Sequence, residues 1–278
     1  MPRFAANLAY LFTEHPFMER FAAAAAAGFP AVELQFPYEF APSSVKAELD
    51  RHGLTMLGIN TPPGRREAGE FGLAAVAGRE ADFAALFRQA LDYVVAIGGR
   101  QIHCLAGKVT PEARPSAEKV FVHNLARAAD VAAEHDVTVL IEPINSRDRP
   151  DYFVARAEHA ADIVDKVSRA NVRIQFDFYH AQIMGGDLVR RFEKFLPLIG
   201  HVQIAGVPSR HEPDQGEVNY PGIFGELDRL GYGGFIACEY NPRAKTEDGL
   251  AWMRPFAGLQ AKHAALAQNR YPPVGDMR

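Results

Sequence analysis

Short apolar runs and amphipathic stretches alternate along this chain from one end to the other. The runs RFAANLA, AVELQF, TMLGIN, RQIHCLA, VTVLIE, VRIQFD, HVQIAG and GFIACEY mostly carry the Val, Ile and Leu content of strands buried on both faces. Between and after them come stretches of helical spacing: residues 15–27, SSVKAELDRHG, READFAALFRQALDYVVAIG, residues 116–135, 155–169 and 187–198, PGIFGELDRLG, and residues 247–267. Alternation with short connections predicts a parallel sheet, and eight repeats is the number that closes as a (β/α)8 TIM barrel. A doubly wound open sheet is the competing fold. Against it, no G-x-G-x-x-G follows the first run, and polar strand ends are spread over the last four runs rather than gathered at one crevice. No linker interrupts the pattern, so residues 1–278 are expected to form a single domain.

Composition narrows the function classes. At 278 residues and 48% hydrophobic content the chain is long enough for one large catalytic domain. A net charge of -4 gives no electrostatic footprint for a phosphate backbone, so a nucleic-acid partner is not expected. The apolar stretch after Arg3 is too short to span a membrane and lacks a small-residue cleavage site. Two cysteines, Cys104 and Cys238, are too few for a disulfide framework and read as small core residues in a reducing, cytoplasmic setting. The run FAAAAAAGF reads as a helix packed closely on the sheet, because Ala is the best helix former and Gly28 stands where it would end.

Four successive apolar runs carry a metal-seeking or proton-moving side chain at the same end: Glu142, Asp177, Gln203 and Glu239. Any one alone reads equally well as an ordinary strand-end polar group. Together they converge on one point if the sheet closes. Three carboxylates in one pocket cannot all ionise without a cation, and an all-oxygen set completed by the Gln203 carbonyl favours Mg²⁺ or Mn²⁺ over Zn²⁺. His180 follows Asp177 by three residues, and His201 precedes Gln203 by two, on the same strand face. Asn7, Asn60 and His103 stand near the ends of other runs, Glu33 and Gln35 share one face, and Lys108, Arg210 and Arg243 are candidates to pair with a substrate carboxylate. The long connections TPPGRREAGEFGLAAVAG and VPSRHEPDQGEVNYPG are expected to cover the pocket, and their Arg and His content suits an anionic substrate.

The blocks LIEPIN, QFDFYHAQ, HVQIAGVPSRHEPDQGEVNYP and CEYNPR, the opening MPRFAANLAYLFTEHPF and the GRE at Gly78 to Glu80 closely resemble the hydroxypyruvate isomerase family over nearly the whole chain. The resemblance implies a xylose isomerase-like barrel, related to ketose 3-epimerases and the apurinic endonuclease IV fold. It implies Glu142, Asp177, Gln203 and Glu239 as ligands of a divalent metal and Glu142 and Glu239 as the proton-transfer pair. His180 and Arg210 would approach the substrate oxygens, with His103, Asn60 and Lys108 as further pocket contacts. Epimerase relatives commonly carry His at the position of Gln203. The implied reaction converts hydroxypyruvate to tartronate semialdehyde through a cis-enediolate, while a close branch isomerises the one-carbon-longer 2-oxo-tetronates. HAQ, HVQIAG and RHEPD lean towards that branch, whereas LIEPIN and CLAGK lean towards hydroxypyruvate. A 3-epimerase, a dehydratase and a non-catalytic sugar-acid binding protein are the rival functions, and association into a homo-oligomer is left open.

Overall fold

The computed structural model describes residues 2–256. Nine strands are present among the described residues: β1 (Arg3–Asn7), β2 (Ala31–Glu33), β3 (Thr55–Met56), β4 (Gly58–Asn60), β5 (Gln101–His103), β6 (Thr138–Ile141), β7 (Val172–Asp177), β8 (Ile199–Ile204) and β9 (Phe235–Cys238). All pair in parallel in the order β3-β2-β1-β9-β8-β7-β6-β5-β4, a nearly closed barrel. β3 and β4 are two halves of one stave, the predicted TMLGIN run, parted at Leu57. Across that point Leu57 N–H donates to Val32 O at 2.9 Å and Arg100 N–H donates to Leu57 O at 3.0 Å, so the hydrogen bonding passes from β2 to β5 without a free edge there. Eight staves result, as the alternation predicted. The close approach at this seam requires glycine, since a Cβ on Gly58 would stand 2.7 Å from the Gln101 Cβ and carbonyl oxygen.

The helices α1 (Arg20–Ala26), α2 (Pro42–His52), α3 (Glu80–Ala96), α4 (Arg114–Ala133) and α5 (Ala157–Val167) fall on the predicted stretches, as do α7 (Leu188–Phe195) and α8 (Tyr220–Arg229). Their spacing explains their seats: in α5, Ala160, Ile163, Val164 and Val167 recur at i, i+3, i+4 and i+7, and all four are buried. α2 starts on Pro42 and stops at Gly53, which takes the left-handed φ of 63° that glycine adopts freely. The stretch predicted over 247–267 begins as a 3-10 helix, Thr246–Met253, and its part beyond residue 256 lies outside the described residues. Cys104 and Cys238 are free and buried, as expected of core residues.

One helix was not anticipated. α6 (Phe178–Met184) follows β7 with no loop between them. Its N-cap is Asp177, whose Oδ1 accepts the backbone N–H of Tyr179 at 2.7 Å. A strand running straight into a helix presents no turn residues to read, and FYHAQIM has Phe178, Tyr179 and His180 all buried, which hides the helical period. This junction aims the remaining oxygen of Asp177 and the ring of His180 into the barrel mouth.

Candidate active site

A cavity of about 990 Å³ opens at the carboxyl ends of the strands. Glu142, Glu239, His103, His180, Arg210, Asn60 and Lys108, all expected at the site, line it, and Gln35 joins them. Both long connections contribute as expected: Arg66, Gly69, Glu70 and Phe71 from one, and Pro208, Ser209 and Arg210 from the other. Asp177 stands just behind His180, and Gln203 sits beneath the floor beside Asn7 and Glu33.

Glu142 follows β6 directly, Asp177 ends β7 and Glu239 follows β9, so three of four successive strands, with β8 between the last two, deliver three buried carboxylates to one place. His180 Nε2 lies 3.5 Å from Glu142 Oε1 and 3.6 Å from Asp177 Oδ2. Its other nitrogen, Nδ1, meets two donors from Asn145, the side-chain NH₂ at 2.6 Å and the backbone N–H at 3.4 Å. The orientation of the Asn145 amide is set in turn by Asp148, whose N–H donates to Oδ1 at 2.8 Å and whose carboxylate accepts from Nδ2 at 3.1 Å. Nδ1 is therefore an acceptor, and the neutral ring carries its proton on Nε2, facing the two carboxylates. His103 Nδ1 comes within 3.4 Å of Glu142 Oε2 from the opposite side.

Arg210 crosses the mouth of this group. Its Nη2 meets Glu239 Oε1 at 2.5 Å and lies 3.7 Å from Asp177 Oδ2. The guanidinium carbon sits 5.0 Å from the ring centroids of both Tyr10 and Tyr179, a sandwich that orders it. Arg210 also holds a left-handed φ of 57°, uncommon for a non-glycine residue, and its backbone is tied on both sides to Gly206 and Asn241.

Burial sets the titration of the group. It raises Glu142 well above the usual carboxylate range, reinforced by Glu239 and Asp177. It pushes Glu239 up to about 8 against the opposing pull of Arg210, and Asp177 up to about 6 against the same pull and the N–H bonds of α6. Burial and then Arg210 hold His180 well below its ordinary value, and burial and then His201 bring His103 down to about 3, so both rings stay neutral. Glu142 Oε1 and Asp177 Oδ2 are buried acceptors with no hydrogen-bond partner. Ligand atoms of Glu142, Asp177 and His180 lie within 4.8 Å of one another, close enough to hold a metal ion, and with the His180 proton on Nε2 the two carboxylates are the members of this group with lone pairs to give. An orphaned oxygen on each of two crowded carboxylates fits a divalent cation, which would remove both the missing contacts and the repulsion.

Two expectations change. Arg243 does not line the cavity: its Nε pairs with Glu212 at 2.8 Å, and Asp214 lies 3.7 Å away, so its charge is spent in tying two loops together. His201 faces away from the substrate space and contacts Glu33 Oε2 at 2.6 Å. Gln203 keeps a more constrained place than a free metal ligand, since its carbonyl oxygen accepts from Gln175 at 2.8 Å and its NH₂ donates to Glu33 and Glu239. One lone pair of that oxygen remains. Gln175, Tyr10, Tyr179, Arg66 and Arg149 were not singled out from the sequence. Gln175 was findable, because it stands two residues before Asp177 and so shares its strand face. Arg149 carried no periodic signal.

Residues 21–256 match the family model described as xylose isomerase-like TIM barrel. The chain is 52% identical over 259 residues to a 2-oxo-tetronate isomerase of Cupriavidus necator, covering 93% of this chain and the whole of that protein. It is 40% identical over 259 residues to a hydroxypyruvate isomerase of Escherichia coli, covering 92% of this chain and again the whole relative. Among solved structures, a Brucella melitensis protein titled AP endonuclease, family 2 superposes with a TM-score of 0.91 at 50% identity, over 92% of this chain and 99% of that one.

Proposed function

The chain belongs to the xylose isomerase-like TIM barrel family, within the group of hydroxypyruvate and 2-oxo-tetronate isomerases, and on that premise we propose that it moves the carbonyl of a short 3-hydroxy-2-oxo acid between C2 and C3, giving an aldehyde from the three-carbon acid and a ketone from the four-carbon one. The observation that carries this reading is the pair Glu142 and Glu239, two buried glutamates with raised proton affinity facing one cavity beside Asp177 and Arg210. Proton transfer between adjacent carbons needs such a pair, one member to accept and one to donate.

In this proposal the substrate carboxylate points to the rim of the cavity. Lys108, Arg66 and Arg149 line that rim, and none has a carboxylate partner among the described residues. Arg66 and Arg149 are held over the rings of Phe36 and Phe71, each at 4.3 Å from the centroid, which orders their guanidinium groups before an anion arrives. The reacting carbons then lie inward. Glu239 in its anionic form, which Arg210 favours against the burial that raises its proton affinity, takes the proton from C3, the hydroxyl proton passes from the C3 oxygen to the C2 oxygen, and Glu142 delivers a proton to C2 from its acid form. Atoms and charge balance across the conversion, with a cis-enediolate between the two transfers; it leaves Glu239 protonated and Glu142 anionic, and exchange of a proton with solvent at each resets the pair for the next turnover. His180 and His103, both neutral, donate N–H groups to the oxygens on which charge develops. Glu142, Asp177, Glu239 and the Gln203 carbonyl are the oxygen donors that would hold Mg²⁺ or Mn²⁺, and a bound ion supplies Lewis-acid polarisation of the substrate carbonyl.

Hydroxypyruvate and a 2-oxo-tetronate are the two substrates to offer. The higher identity to the Cupriavidus isomerase supports the four-carbon acid, and a cavity of about 990 Å³ has ample room for it. Phosphodiester cleavage, suggested by the Brucella title, finds less support: the net charge is -4, and one metal-holding group of His, Cys, Asp and Glu is found among the described residues. Free, buried thiols suit a cytoplasmic enzyme. The test is proton NMR in D₂O with Mn²⁺-free and Mg²⁺-supplemented protein, each acid in its own tube. Conversion with deuterium entering beside the carbonyl is the expected result. Folded protein that exchanges neither acid would overturn the isomerase reading.

A further inference from the structure

Beneath the cavity floor lies a layer of buried side chains of which the chemistry above uses only the Gln203 carbonyl. Glu33, at the end of β2, receives His201 Nε2 on its Oε2 at 2.6 Å. Its Oε1 accepts from two amides, Asn7 Nδ2 at 2.7 Å and Gln203 Nε2 at 2.6 Å. Each of those NH₂ groups spends its second hydrogen on Glu239 Oε2, at 3.1 Å and 2.5 Å. The carbonyl oxygen of Gln203 then accepts from Gln175 Nε2 at 2.8 Å, and the other hydrogen of Gln175 goes to Glu142 Oε2 at 2.9 Å.

All six hydrogens of the three amides are used, and each end of the chain of bonds is a glutamate of the reaction. Reversing any of these amides would set a carbonyl oxygen against a carboxylate, so the direction of the bonds is fixed. The consequence reaches the cavity. Oε2 of both Glu142 and Glu239 is anchored below, and Oε1 of each is left to face Arg210, His180 and the substrate space. A carboxylate free to rotate would present either oxygen.

We propose that Glu33 is a positioning residue, which, seated on His201, fixes the orientation of both Glu142 and Glu239 through Asn7, Gln203 and Gln175. The proposal deepens the isomerase reading and rests on it for its effect on turnover. Its geometric content stands apart from that reading, because the same two carboxylates belong to the donor set for a divalent ion. Glu33→Met removes both acceptor oxygens at similar side-chain length, so His201 and the two amides lose the partner they share. Gln175→Met cuts the link to Glu142 while leaving Glu33 intact, and serves if the first variant fails to fold.

The experiment measures Mn²⁺ affinity by electron paramagnetic resonance of the free ion, kcat and KM on the acid that the wild type converts, and circular dichroism of each variant. Either substitution is expected to weaken Mn²⁺ binding and lower kcat by about 10- to 100-fold, with KM held within about threefold. A drop in melting temperature with Mn²⁺ affinity and kcat intact would reduce Glu33 to a structural residue and overturn the proposal. Should the wild type convert neither acid, the isomerase reading falls, and the Mn²⁺ comparison alone decides the network: unchanged affinity refutes it, and weakened affinity upholds it.

Discussion

Glu142 and Glu239 differ in what holds them, and the difference predicts how each responds to substitution. Glu239 Oε1 is engaged by Arg210, while Glu142 Oε1 has no hydrogen-bond partner. In Glu239→Gln the Arg210 guanidinium loses its nearer anionic partner and keeps Asp177 at 3.7 Å, and in Glu142→Gln the cavity gains an amide where a proton carrier stood. Each is expected to lower kcat by about 10²- to 10⁴-fold with circular dichroism unchanged, which stopped-assay NMR of the product can follow. Near-native turnover in both would remove them from the chemistry. At this scale the sequence disclosed the acids better than their surroundings. Glu142, Asp177 and Glu239 were legible because each closes an apolar run at the same end. The layer of Asn7, Glu33, Gln175 and His201 was only partly legible, because polar groups facing a barrel interior are recognisable by strand period, whereas which of them touch depends on register across staves. Gln175 opposite His201 and Asp177 opposite Gln203 are facts of the β7 and β8 pairing that no single run contains.

The junction of β7 and α6 gives one side chain two tasks. Asp177 Oδ1 caps the helix and Oδ2 points into the carboxylate group, so the two roles separate by substitution. Asn is as good an N-cap as Asp but carries no charge, and Asp177→Asn should therefore melt at or above the wild-type temperature in chelator while losing Mn²⁺ affinity. Asp177→Ala loses both, at a cost of about 1 kcal/mol for the cap, and is expected to melt lower. Calorimetry of the two variants side by side makes the comparison, and equal melting would show that the cap is not holding α6. The same junction marks the limit of reading elements from pattern. Seven helices and all eight staves followed from periodicity and turn residues, as the seam at Leu57 illustrates: TMLGIN reads as one stave and acts as one, although Leu57 parts it into two short strands. α6 escaped because its start signal, Asp177, reads as the polar end of a strand and its period is masked by burial on several sides.

Across the whole molecule, two populations of carboxylate pull stability in opposite directions as pH changes. Glu70 is held down to about 2 by the Arg65 backbone N–H and the Arg79 and Arg65 side chains, so its contribution is present above its unfolded value and is lost as pH falls through about 2. Asp177 and Glu239 are raised, to about 6 and about 8, and Glu142 is raised with them. A raised carboxylate binds its proton more tightly in the folded state. The stability linked to it is therefore complete below its ordinary value and drains away as pH rises through the folded one. Chelator-treated protein is accordingly expected to melt at lower temperature near pH 8.5 than near pH 5.5, the fall spanning the interval between the ordinary carboxylate range and about 8. Mn²⁺ competes with protons for the same oxygens, so it should raise the melting temperature strongly at the higher pH and little at the lower. At about 100 times its dissociation constant, such an ion adds roughly 2.7 kcal/mol. Differential scanning calorimetry at both pH values, with and without Mn²⁺, checks the sign. A metal-free protein whose melting temperature rises steadily to pH 8.5 would mean that Arg210 neutralises the carboxylate group unaided, and that the ion is not needed to hold the mouth of the barrel together.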